Sequence, residues 1–173
     1  MDDTPSRDEA LRIMQDEHLQ VGSLVAALDD EAFTRAATIG GGDWSAKDLV
    51  GHLTTWEEIA LRSLDEWRLG DRPWIEEASD GTADDVNAEA QGRKSGLSAA
   101  DILGAFDGVF ERLVGAFRTI AENEWRQPAS FDAAPGTTLG SFLGDVLGGP
   151  AGPFAHASAH LDDLRAYVER ARD

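Results

Sequence analysis

Four separate stretches of this chain place apolar residues at steps of three and four, and alternation with a period of two is scarce. A period near 3.6 gives each stretch one apolar face, and that face is stable only when buried against another helix. The first stretch runs over about 7–29, with Leu11, Met14, His18, Val21, Val25 and Leu28 in line. Ser6 and Glu9 have the spacing of a capping box at its start, and Asp29 and Asp30 close it. The second, about 46–69, carries Leu49, His52, Leu53, Trp56, Ala60, Leu64 and Trp67 behind Ser45 as N-cap, and stops at Gly70, Asp71 and Pro73. The third, about 99–123, follows Ser98 and has a wide stripe from Ile102 to Ile120. The fourth, about 153–172, begins with Pro153, suited to a first helical position, and turns His156, His160, Leu164, Tyr167 and Ala171 inward. A short helical piece over 138–147 precedes the Gly/Pro-rich break at 148–153. These elements predict an all-α bundle. The linkers at 71–97 and 124–137 are too long for tight hairpins and suit crossover connections, with Trp74 and Ile75 pinning the first to the body.

With 173 residues the chain has the length of one domain, expected to span 1–173. No apolar run approaches the roughly 20 residues that span a bilayer, so no membrane partner is expected. The acidic, polar opening residues lack the marks of a secretory signal and point to the cytoplasm. There are no cysteines, which removes thiolate ligands and nucleophiles. The net charge is −18, from 33 acidic against 15 basic residues, and no basic stripe stands out; the expectation is no nucleic-acid partner.

The concentrated chemistry is in histidine. His156 and His160 lie four apart, which puts both on one face of a helix, one turn apart. His52 is placed to supply a third nitrogen from the second helix. Three neutral imidazoles hold a divalent metal at about 2.0–2.1 Å and leave positions open for water or substrate. Zinc and nickel both suit such ligands. The competing reading is a pair of hydrogen-bonded core histidines. Ala157 excludes the HExxH zinc-protease pattern. His18 reads first as a partly buried histidine satisfied by a neighbour, and second as a group orienting a ligand.

The run Asp43, Trp44, Ser45, Lys47, Asp48, His52, Leu53, Trp56, Glu57 resembles the second-helix signature of the DinB/YfiT-like superfamily, and Phe154 to His160 resembles its final-helix H-x-x-x-H. The stretch from Val86, Asn87, Ala88 and Glu89 through Trp125 is similar to the ClbS/DfsB branch. The resemblance implies an up-down-down-up four-helix bundle, a homodimer, and a metal held by His52, His156 and His160. Its relatives include maleylpyruvate isomerases and transferases that use a low-molecular-weight thiol such as mycothiol, and ClbS/DfsB proteins that protect a producer by opening a toxin's cyclopropane. In this chain the glycine and proline break requires the last helix to start partway along the bundle, with 138–147 filling the remaining height, for the histidines to meet.

Three functions follow as alternatives. The first is a metal-dependent enzyme activating water or a small thiol against an electrophilic small-molecule substrate. Glu57 and Glu58 are its candidate bases, although helix carboxylates of this kind are usually solvated. Ser158 points away from the ligand face and is a poor nucleophile. Trp44, Trp56, Trp67 and Phe154 are candidate pocket walls, with core packing favoured for most of them. The second is a metal-free ClbS/DfsB-like resistance or small-molecule-binding protein. The third is an interaction module without chemistry.

Overall fold

The computed structural model describes residues 4–78 and 83–172. Helices α1 (Arg7–Val25), α2 (Asp30–Thr34), α3 (Ala46–Leu69), α4 (Trp74–Ala78), α5 (Ala83–Lys94), α6 (Ala99–Arg118), α7 (Glu122–Trp125), α8 (Leu139–Val146) and α9 (Leu161–Ala171) follow in order, with a 3-10 turn at His156–Ala159. Among the described residues no strand forms beyond two isolated bridge pairs. The architecture is an all-α bundle: α3 packs on α6 and α8, and α1 on α6 and α9. Among the described residues no helix is long and apolar enough to cross a membrane.

Local signals set several boundaries. Ser45 and Asp48 form a reciprocal capping box at the start of α3, and Gly70 ends it at φ 82°, the left-handed conformation that glycine adopts without a Cβ penalty. Ser98 and Asp101 do the same for α6, and Thr138 with Ser141 for α8. At α1 only half of the expected box forms. Ser6 accepts from the Glu9 backbone N–H at 3.3 Å, while the Glu9 carboxylate turns away to Arg12. The first helix stops at Val25, and Asp29 caps α2 through the Ala32 N–H at 2.8 Å. The third stripe ends at Arg118; Ile120 remains buried, in the link to α7.

Two differences from the sequence expectation matter for function. The linker 71–97 contains α4 and α5. Only Ala90 of α5 is buried, so that helix has no apolar stripe to announce it. It is held on α3 by polar ties: Trp56 Nε1 donates to Asn87 Oδ1 at 3.0 Å, and Lys94 Nζ donates to the Gly51 carbonyl at 3.1 Å and pairs with Glu58 at 3.0 Å. Ile75 is buried and Trp74 packs against the core, as pins for that segment, with the Arg62 guanidinium 4.8 Å from the Trp74 ring centre.

The second difference is at the last helix, which does not begin at Pro153. Phe154 has φ 63°, a left-handed conformation that costs a residue with a Cβ roughly 1–2 kcal/mol. Burial offsets it. Phe154 is 1% exposed, stacked on Trp125 at 5.6 Å and edge-on to Phe117 at 6.2 Å, and burying such a ring stabilises by about 1.5–3 kcal/mol. The chain then makes the 3-10 turn, and regular helix starts only at Leu161.

The core divides into two apolar clusters. One gathers Ala10 to Met14, Ile59 to Trp67, Phe110 to Phe117, α8 and Phe154. The other gathers Val21, Val25, Leu49 to Leu53, Ile102, Phe106 and the inner face of α9. Along α1, α3 and the last segment the changeover between the two sets takes in Glu17 and His18, Glu57, and His156, with Trp56 packed against the first set. A polar layer therefore crosses the bundle at this seam.

Candidate metal centre

His52 projects from the second turn of α3, His156 opens the 3-10 turn, and His160 is the residue from which α9 starts. The fold brings the three together. One nitrogen from each lies within 4.8 Å of the others. The Nε2 atoms of His52 and His156 are 3.1 Å apart, close to the roughly 3.3 Å that two nitrogens keep when each sits about 2.05 Å from a tetrahedral ion. α8 and the stretch 148–155 intervene before the last segment, regular helix starts only at Leu161, and the three rings nonetheless meet. His156 and His160 are not on one regular helix as their spacing had suggested; the buried Phe154 displaces the helix start beyond them.

All three imidazoles are held neutral at physiological pH. Burial, then the positive charge that His156 and His160 would carry, pushes His52 down to about 3, with Asn87 working the other way. Burial, then His160, pushes His156 down to about 4. Burial lowers His160 as well, against the opposing field of Asp163. Neutral imidazole with a free lone pair is the form that binds metal.

The surrounding residues fix these rings. Trp44 lies 4.9 Å from His52 and 6.4 Å from His160, centre to centre, and Trp56 meets His52 and His156 edge-on. Glu17 reaches across from α1 and accepts the Ala157 and Ser158 backbone N–H groups at 2.8 and 3.0 Å, tying down the turn that carries His156. Burial raises the Glu17 pKa, and those two donors oppose the rise. Ser158 donates to the Ala155 carbonyl and accepts from the Ala151 N–H, so its hydroxyl is spent on the turn.

On one side the histidines face an open cleft of about 850 Å³, walled by Trp44, Trp56, Asn87 and Gln91, with Asp43 and Asp84 also on its lining. Of the four candidate wall aromatics, Trp44 and Trp56 do line it; Trp67 and Phe154 are core. On the other side His156 meets a small cavity of about 40 Å³ lined by Glu17, His18, Glu57 and apolar side chains. His18 is stacked between Phe106 and Phe110 at 4.1 and 3.9 Å, and its Nε2 lies 3.2 Å from Asp107, the satisfied-neighbour reading. Its Nδ1 is buried without a partner among the described residues, as is Glu57 Oε2. Burial pushes Glu57 up to about 8, with Lys94 working against it. Glu57 is thus not a solvated carboxylate, whereas Glu58 is exposed and paired with Lys94.

Glu17 is not singled out by pattern reading, Glu57 is weighed there as a base but expected to be solvated, and Asn87 enters only through the family resemblance. Two of them left a signal. Glu17 stands three after Met14 and four before Val21, and Glu57 four after Leu53 and three before Ala60. Each is a carboxylate at an apolar register.

A family model described as the mycothiol maleylpyruvate isomerase N-terminal domain matches residues 14–147. The chain belongs to that family. It is thereby a member of the DinB/YfiT-like superfamily, and the match takes in His52 but ends before His156 and His160. No curated protein matches the chain. Among solved structures, an uncharacterised protein from Escherichia coli UTI89 superposes with a TM-score of 0.72 at 14% identity, covering 98% of this chain and 96% of its own. The colibactin self-resistance protein ClbS, in complex with a dsDNA, superposes with a TM-score of 0.64 at 11% identity, covering 96% and 93%. These likenesses show the fold. The ClbS complex also overturns the exclusion of nucleic acid drawn from net charge, because a protein with this architecture is seen with DNA. A charge summed over the whole chain constrains the average field and not the face that any one partner meets.

Proposed function

We propose that His52, His156 and His160 hold a divalent metal, zinc or nickel, and that the chain is a metal-dependent enzyme acting on an electrophilic small molecule in the adjoining cleft. The observation that carries this reading is the convergence of three neutral imidazoles, all within 4.8 Å, at the wall of an open cleft. When bound, such an ion lowers the pKa of a coordinated water or thiol and so supplies a nucleophile at neutral pH. The family description supports a small thiol such as mycothiol as the co-substrate. Glu17 holds the turn that presents His156, Trp44 and Trp56 flank the rings, and Asn87 fixes the Trp56 indole.

Metal analysis of the purified protein tests this. One zinc or nickel per chain is expected, falling at least about tenfold in affinity in His156→Ala, as loss of one of three protein ligands implies. A folded wild-type chain that takes up neither metal refutes it. A metal-free resistance or sequestration protein is the second reading, supported by the likeness to ClbS. Compound binding or protection that persists after chelation and in His156→Ala favours it.

A further inference from the structure

The cleft also says what kind of molecule lies along it, granted that it is the substrate site of the proposed function. Its lining contains no lysine or arginine among the described residues. The two lysines of the chain do not line the cleft, although the Lys94 charge is felt at His52. Lys94 is tied to Gly51 and Glu58, and Lys47 Nζ donates to the Ser95 and Leu97 carbonyls at 3.1 and 2.8 Å. Arg93, on α5, pairs with Glu89.

What the cleft offers instead is two carboxylates, two indoles and two amides. Asp43 comes from the loop before α3 and Asp84 from the first turn of α5, and no ion pair to either is present among the described residues. A carboxylate laid along the part of this surface away from the histidines would meet two like charges and no lining cation, inside a protein of net charge −18. A flat, uncharged or cationic group would meet aromatic faces, amide partners and opposite charge, an arrangement that also favours a cation over an indole.

We propose that the part of the substrate lying away from the histidines is a planar aromatic or conjugated group that is uncharged or carries an amine cation. The reactive end faces the histidines; the flat end lies between Trp44, Trp56 and α5.

A matched pair of probes tests the sign. Tryptamine and indole-3-acetate share one ring and carry opposite charges, and tryptophol is the uncharged control. Their affinities are measured by calorimetry on metal-stripped protein, so that no carboxylate gains by coordinating an ion. Tryptamine is expected to bind about tenfold more tightly than indole-3-acetate, the preference that two partly solvated charge contacts supply. The advantage should shrink with added salt. It should fall to about threefold or less in Asp43→Asn/Asp84→Asn and persist in Glu111→Gln/Glu169→Gln, which removes two remote exposed carboxylates. Equal or tighter binding of indole-3-acetate overturns the proposal, as does failure of all three probes to bind, or an advantage that the remote pair removes equally. Metal content is measured separately, so a chain that binds no metal yet prefers tryptamine refutes the metal reading and leaves the charge preference standing.

Discussion

Replacing Glu57 by Gln should stabilise the metal-free protein, and by an amount that grows with pH. The side chain lies at the seam between the two apolar clusters with Oε2 sealed from solvent and no partner among the described residues, and burial raises its pKa from 4.5 to about 8. A raised carboxyl pKa means that the folded state keeps a proton which the unfolded chain has released. The associated stability is fully present below 4.5 and is lost as pH rises to 8. Each pH unit in that window costs about 1.4 kcal/mol, so the total approaches 4–5 kcal/mol, of which about 3 is already lost at pH 7. Glutamine has nearly the same shape and stays neutral throughout, so the penalty vanishes in the variant. Urea denaturation at half-unit steps from pH 4.5 to 9, with metal stripped from both proteins, measures the difference. The two should be near equal at pH 4.5, diverge by about 1.4 kcal/mol per unit through pH 7, and run parallel above about 8. The histidines titrate in both proteins and cancel in the difference to first order. A gap that does not change with pH would show that Glu57 reaches solvent in the folded protein, and the sealed seam would then be wrong.

Removing the Glu17 carboxylate with Glu17→Ala leaves the Ala157 and Ser158 N–H groups without their acceptor; the expected loss is about 1–3 kcal/mol in denaturation, with metal affinity weakened about 10–100-fold because His156 loses its support. Glu17→Gln, which keeps one carboxyl-like oxygen, should recover part of both. The metal-free wild type should also be acid-sensitive in a particular window. His52 and His156 have folded pKa values near 3 and 4 against 6.5 unfolded, so stability present above 6.5 is lost as pH falls toward 4. The double variant His52→Gln/His156→Gln should flatten that part of the stability–pH curve, followed by circular dichroism.

How much of this was legible in the sequence follows the range over which each signal acts. The bounds of α3 are set within a few residues of themselves, by Ser45 with Asp48 at one end and Gly70 at the other, and there the sequence expectation and the structure coincide. The same holds for the start of α6 at Ser98. α5 was illegible because helix periodicity reports burial, and a helix with one buried residue has none to report. Glu57 was expected to be solvated and Glu17 was not singled out, because the fate of both depends on how α1, α3 and α6 align, which places them at the seam between two apolar clusters. That alignment is a long-range property. Only their register, on the apolar line of each helix, carried a local hint.

The histidines show most clearly what kind of information a spacing contains. Four-residue separation was read as one face of a regular α-helix, and the structure instead places His156 in a 3-10 turn and His160 at the junction with α9. The rings still converge, with centres 5.7 Å apart and each near His52. The backbone route is dictated by Phe154. Its burial against Trp125 holds a left-handed residue two positions before His156 and delays the helix, and Glu17 then supplies the hydrogen bonds that the irregular turn would otherwise lack. A pair of inward imidazoles therefore needs a supporting carboxylate from another helix here, where a continuous helix would satisfy its own backbone. The centre and the polar seam are consequently one structural unit. A change at Glu17 should be felt at the metal, although that residue is not one of the three proposed ligands.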